Sequence, residues 1–113
     1  MSIVGFRTFA LALTLLGSSL ACTTGDGTVE DHPALDLTGD VATGTDVFAN
    51  NCAGCHGADG DSGSAPNLSE VAPDRTDNEI AWTIADGNGG MPSIDIDDQA
   101  IADVIAFLRS EFN

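Results

Sequence analysis

The chain has 113 residues, room for one domain and less if any of it is removed during maturation. Eighteen acidic residues stand against three basic ones, none of them lysine. The formal net charge of −15 makes nucleic acid and anionic lipid poor partners and a basic protein surface a good one. With five phenylalanines, one tryptophan and no tyrosine, an ordinary core would be thin. A fold this short calls for a staple: a disulfide, a metal or a large cofactor.

Residues 1–21 read as an export signal. Arg7 is the only positive side chain of a short leader, and residues 8–20 form an apolar or small-residue run. That run falls short of the roughly 20 apolar residues that a membrane span needs. It ends Ser18-Ser19-Leu20-Ala21-Cys22, which resembles a bacterial lipobox, although Ser19 stands where that pattern usually has leucine. The resemblance implies that Cys22 is lipidated and becomes the mature N-terminus; ordinary cleavage nearby, with Cys22 left free or lost, is the alternative. Residues 22–40 are rich in Gly, Thr, Asp and Glu, the composition of an acidic flexible linker. His32 lies within it and is expected to be solvated, and with Cys22 acylated the linker becomes a membrane tether.

The folded domain is expected over residues 41–113. Thr45 is placed to cap a short helix that leads through Phe48 into Cys52-Ala53-Gly54-Cys55-His56. Two thiols one helical turn apart, followed at once by an imidazole, suit covalent capture of a haem. Each sulfur adds across one vinyl group, and His56 is left to ligate the iron. A thiol redox pair would be expected to follow a strand, and none is visible; a zinc site would need a second pair of ligands. Residues 57–64 then form a glycine-rich loop closed by Ala65-Pro66-Asn67-Leu68.

Gly44, Phe48, the C-A-G-C-H-G run, Pro66-Asn67-Leu68, Met91-Pro92 and an amphipathic last helix together resemble a class I cytochrome c, over roughly residues 41–112. The resemblance implies an all-α fold of three to four helices around one covalently attached haem c. It implies that the Pro66 carbonyl accepts the Nδ1 hydrogen of His56, and that the loop glycines let the backbone pass close to the haem edge. It also makes Met91, in its Gly-Met-Pro setting, the second axial ligand. A thioether favours ferrous iron and closes the site to exogenous ligands.

Thr76 and Glu79 form a capping box that opens a helix ending at Gly87. Ile80, Trp82 and Ile84 on it are expected in the haem environment, and Arg75 just before it is expected to be solvated or acid-paired rather than bound to a haem propionate. In the last helix Asp97 serves as N-cap, and Arg109 sits favourably for the dipole near the end. Ile101, Val104, Ile105, Leu108 and Phe112 form an apolar stripe. The resemblance implies that Phe107 packs near Gly44 and Phe48.

The function so read is one-electron transfer between redox proteins outside the cytoplasm, on the periplasmic side, as in a respiratory chain. The partners are redox proteins with a basic docking surface, with no small-molecule substrate. An electron-input subunit of a larger redox enzyme is the alternative. A haem enzyme or gas sensor with a labile sixth ligand is less favoured, because no distal acid or base is evident.

Overall fold

The computed structural model describes residues 30–113, so the export signal, Cys22 and the first part of the linker lie outside the described residues. The fold is all-α. Three helices carry it: α1, Val41–Asn51, α4, Asp77–Asp86, and α5, Asp98–Glu111. Between α1 and α4 lie two single turns, α2, Ala53–His56, and α3, Leu68–Val71, and 3-10 turns cover Pro33–Asp36 and Ala72–Asp74. Among the described residues no helix is long and apolar enough to cross a membrane.

The crossing of α1 on α5 is the centre of the packing. The α5 stripe buries Ile101, Val104, Ile105 and Leu108, and Phe112 packs partly against the same core. Phe107 meets Phe48 with ring centroids 5.0 Å apart. The helices come this close because Gly44 has no side chain: a Cβ there would stand 1.9 Å from the Asp103 carbonyl oxygen. The capping box is present in both directions, with Glu79 N–H donating to Thr76 Oγ1 at 3.1 Å and Thr76 N–H to Glu79 Oε2 at 2.7 Å. The bond from Thr76 N–H, then that from the Thr76 hydroxyl, holds the Glu79 carboxyl below its ordinary range. Asp97 caps α5 through Ala100 N–H at 2.8 Å.

The cap of α1 differs from expectation. Asp40, not Thr45, opens the helix, accepting from Thr43 N–H at 2.7 Å. Thr45 is a full turn inside, its hydroxyl donating back to the Val41 carbonyl. Asp40 is held in place from the far end of the fold, since its own N–H donates to Asp103 Oδ1 at 2.8 Å. Asp103 is only 4 % exposed, and its other partner is Gln99 Nε2, which also donates to the Thr38 carbonyl. A carboxylate buried without a cation is thus satisfied by neutral donors.

The expected solvated linker is corrected over its second half. Residues 30–40 lie as a strap across α4 and α5, and His32, expected in solvent, is 5 % exposed. Its ring meets Trp82 edge to face at 4.7 Å, its N–H donates to Asn78 Oδ1, and its Nδ1 accepts from Ala34 N–H. Trp82 Nε1 donates to the Glu30 carbonyl at 2.8 Å. The reason is non-local: an aromatic 50 positions along the chain supplies the surface that the strap itself lacks. Trp82→Phe removes one such donor and should cost about 1 kcal/mol. His32→Ala should cost about 2–3 kcal/mol by opening a void and freeing Ala34 N–H. Thermal melts of the two variants check the order.

Candidate haem site

A cavity of about 350 Å³ opens where the single turns, α4 and the loop after it converge on α5. Cys52 and His56 line it from the C-x-x-C-H turn, Leu68, Val71 and Ala72 from α3 and the 3-10 turn, and Ile80, Thr83 and Ile84 from α4. Asn88, Gly90 and Met91 line it from the following loop, and Phe48, Val104 and Leu108 form its floor. No carboxylate is among these residues, although the chain has eighteen acids.

The helix carrying the cysteines is not continuous. α1 stops at Asn51, and Cys52 has an irregular backbone from which α2 restarts, its carbonyl accepting from Cys55 and His56 N–H. Cys52 turns into the cavity wall while Cys55 is exposed. Burial first, then the charge of Cys55, push the Cys52 thiol up to about 11, so at neutral pH it is S–H.

His56 Nδ1 lies 3.0 Å from the Pro66 carbonyl oxygen, which fixes the ring as an Nδ1–H donor and leaves Nε2 free. Pro66 is brought there by the glycine-rich loop, which folds back on the C-x-x-C-H turn. Gly63 N–H donates to the His56 carbonyl and Ala65 N–H to the Cys55 carbonyl. The loop's glycines also let it approach the turn itself, where a Cβ on Gly63 would stand 1.9 Å from the Cys55 carbonyl oxygen.

Asp59 ties the loop, its Oδ1 accepting from Ser62 N–H at 3.0 Å and Asp61 N–H at 3.2 Å. Bonding to Ser62, then to Asp61, lowers its carboxyl to about 2, while the neighbouring Asp59 raises Asp61. For a depressed acid the contribution to stability is present above its ordinary value near 3.9 and is lost as pH falls through about 2. An NMR titration should therefore find Asp59 still charged at pH 3 and the loop amides of Asp61 and Ser62 shifting only below that.

Met91 is held by a two-residue turn. Asn88 N–H donates to the Met91 carbonyl and Met91 N–H to the Asn88 carbonyl, both at 2.9 Å. Ile94 N–H fastens the loop to the Ile84 carbonyl at 2.8 Å. Ile80 and Ile84 line the cavity as expected, but Trp82 does not. Two residues from Ile80 it stands roughly 200° round the helix and packs on the strap. Arg75 lines the rim and pairs with Glu79 at 3.8 Å, a half-exposed contact worth little. Leu68, of the Pro66-Asn67-Leu68 run, is a wall residue too, as are Val71 and Ala72, which the sequence pattern does not single out because single turns carry no periodicity.

These residues fit a haem: an apolar slot, a thiol in its wall and an imidazole whose orientation is fixed from behind. Residues 39–108 match the family described as cytochrome c oxidase, cbb3-type, subunit III. The chain is 36% identical over 104 residues to cytochrome c-551 of Bacillus subtilis (strain 168), covering 91% of this chain and 88% of that one. It is 32% identical over 77 residues to the cytochrome c-553-like protein of Synechocystis sp. (strain ATCC 27184 / PCC 6803 / Kazusa), covering 67% and 73%.

The chain belongs to the class I c-type cytochromes. As a member of that family the cytochrome carries one covalently bound haem c and transfers electrons to and from redox proteins. Its Cys52 and Cys55 have the spacing of the family's attachment motif. The Bacillus match reaches well into the chain before residue 39, where the family match begins.

Proposed function

We propose that the cytochrome is a one-electron carrier with His/Met axial ligation, exported and held to a membrane by lipid on Cys22. When bound, the haem supplies the one-electron couple of its iron. Cys52 and Cys55 hold it by thioethers, His56 donates Nε2, and Met91 donates its sulfur. Pro66 keeps the imidazole oriented, and Ile80 and Ile84 exclude water from one wall. The observation that carries this reading is that His56 and Met91 line one apolar cavity, each fixed by its own local hydrogen bonds. Optical spectra of the purified mature protein, reduced and oxidised, with a redox titration, test it. A covalent c-type haem, a ferric charge-transfer band assigned to methionine sulfur and a reversible one-electron wave are expected. Carbon monoxide binding to the native reduced protein would count against Met91 and for the sensor reading. Mass spectrometry of the mature N-terminus tests the lipid on Cys22.

The charge implies a partner with a basic docking surface. Stopped-flow electron transfer should slow as ionic strength rises from about 10 to 500 mM, where the Debye length shrinks from about 30 Å to a few Å. A rate indifferent to salt would exclude steering. The matching family is described as an oxidase subunit, which favours a second reading, an electron-input subunit of a larger complex. Solubilised membranes separate the two, since a free carrier elutes alone and a subunit elutes with its enzyme.

A further inference from the structure

The cavity wall formed by Val71, Ala72 and Arg75 is no continuous helix: it is a four-residue turn followed by a 3-10 turn that touches α5. Its outer side is nevertheless fixed by one side chain from α5. Arg109 Nη1 donates to the Ala72 carbonyl at 2.7 Å, Nη2 donates to the Arg75 carbonyl, and Nε donates to Asp77 Oδ1 at 2.7 Å. One planar guanidinium thus joins both ends of the 3-10 turn and the first residue of α4, a geometry that a lysine ammonium cannot reproduce. Arg109 is not among the residues lining the cavity. Its reach into the site runs wholly through the backbone it holds.

We propose that Arg109 is a positioning residue for the redox site: by fixing the Ala72 and Arg75 carbonyls it keeps the Val71 to Arg75 wall closed against the haem, and so sets the reduction potential from outside the cavity. This rests on the haem reading above. Without the guanidinium, two carbonyls must find water, the turn loosens, and water enters a slot that is otherwise apolar. Water stabilises the more highly charged oxidised site over the reduced one, so the potential should fall.

The test compares the intact holoprotein with Arg109→Lys, Arg109→Gln and Asp77→Asn, reading the potential together with amide hydrogen exchange at Arg75 and Ile80. The Lys variant keeps the charge and loses the fork. It should lower the reduced-to-oxidised ratio at fixed poise by up to tenfold, about 59 mV for one electron, and speed exchange at Arg75, whose N–H donates to Ala72. Arg109→Gln should do the same or more. Asp77→Asn keeps both carbonyl bonds and should leave Arg75 exchange near wild type. A Lys variant with wild-type potential would show that only the charge counts. A lowered melting temperature with unchanged potential in all three would show that Arg109 serves stability alone. Either result overturns the proposal, whereas a wild-type protein with no covalent haem spectrum would overturn the haem reading itself.

Discussion

Met91→Ala is expected to lower the reduction potential by on the order of 0.1–0.3 V, within the range of about 0.8 V that haem axial ligands span. The methionine charge-transfer band should vanish, and the reduced protein should bind carbon monoxide. The physical reason is donor chemistry: a neutral, soft thioether favours ferrous over ferric iron, and water or hydroxide in its place does the opposite. The substitution is a clean one, because the turn that presents Met91 is held by main-chain bonds to Asn88 and by Ile94 N–H on Ile84, none of which uses the side chain. Met91→His should close the site again at a lower potential than wild type. Unchanged potential and spectrum in Met91→Ala would reduce Met91 to a packing residue.

Gly44→Ala should have the largest effect on stability. A methyl group at that position meets the Asp103 carbonyl oxygen at 1.9 Å and the Phe107 Cβ at 3.0 Å. The obstacle is the backbone of α5, which cannot rotate aside as a side chain would. Relief requires α1 and α5 to separate, undoing the contact of Phe48 with Phe107 and straining the bond from Asp40 to Asp103. A loss on the order of 3 kcal/mol is expected, a drop in melting temperature of roughly 12–24 °C for a domain of this size. Calorimetry of the holoprotein measures it. A melting temperature within a few degrees of wild type would mean that the two helices are not held at this distance in solution.

What could be read from sequence was local or motif-borne. The capping box at Thr76 and Glu79, the Asp97 cap and the α5 stripe depend on residues within one or two turns of each other, and each stands in the structure as expected. The placement of Pro66 behind His56 followed from resemblance, and the 3.0 Å contact agrees with it. Features set by distant partners were not legible. The strap looks like linker because its composition is polar, and only Trp82 and Asn78 give His32 a place to bury. Asp103 sits inside an otherwise apolar helix face as an acceptor for Asp40, which in turn moved the start of α1 away from Thr45. Arg109 satisfies the dipole rule, yet three acceptors from another part of the chain define its position. Helical geometry alone sets Trp82 off the face of Ile80 and Ile84, since residues at i and i+2 do not share one, but its packing on the strap at His32 depends on a distant partner.

The strap also alters how far the molecule can range. With the anchor proposed at Cys22 and the chain fastened to α4 at Glu30, only eight peptide steps separate lipid from domain, at most about 29 Å of contour and close to the diameter of a small domain. A leash free as far as Val41 would be more than twice as long. For a flexible leash the effective concentration falls roughly as the −3/2 power of its length, so the pinned domain meets a neighbour in the same membrane at a local concentration about fourfold higher. Electron delivery from such a cytochrome is a short-range event between near neighbours, and a donor or acceptor whose docking face stands much farther than one domain's breadth above the bilayer is out of its reach.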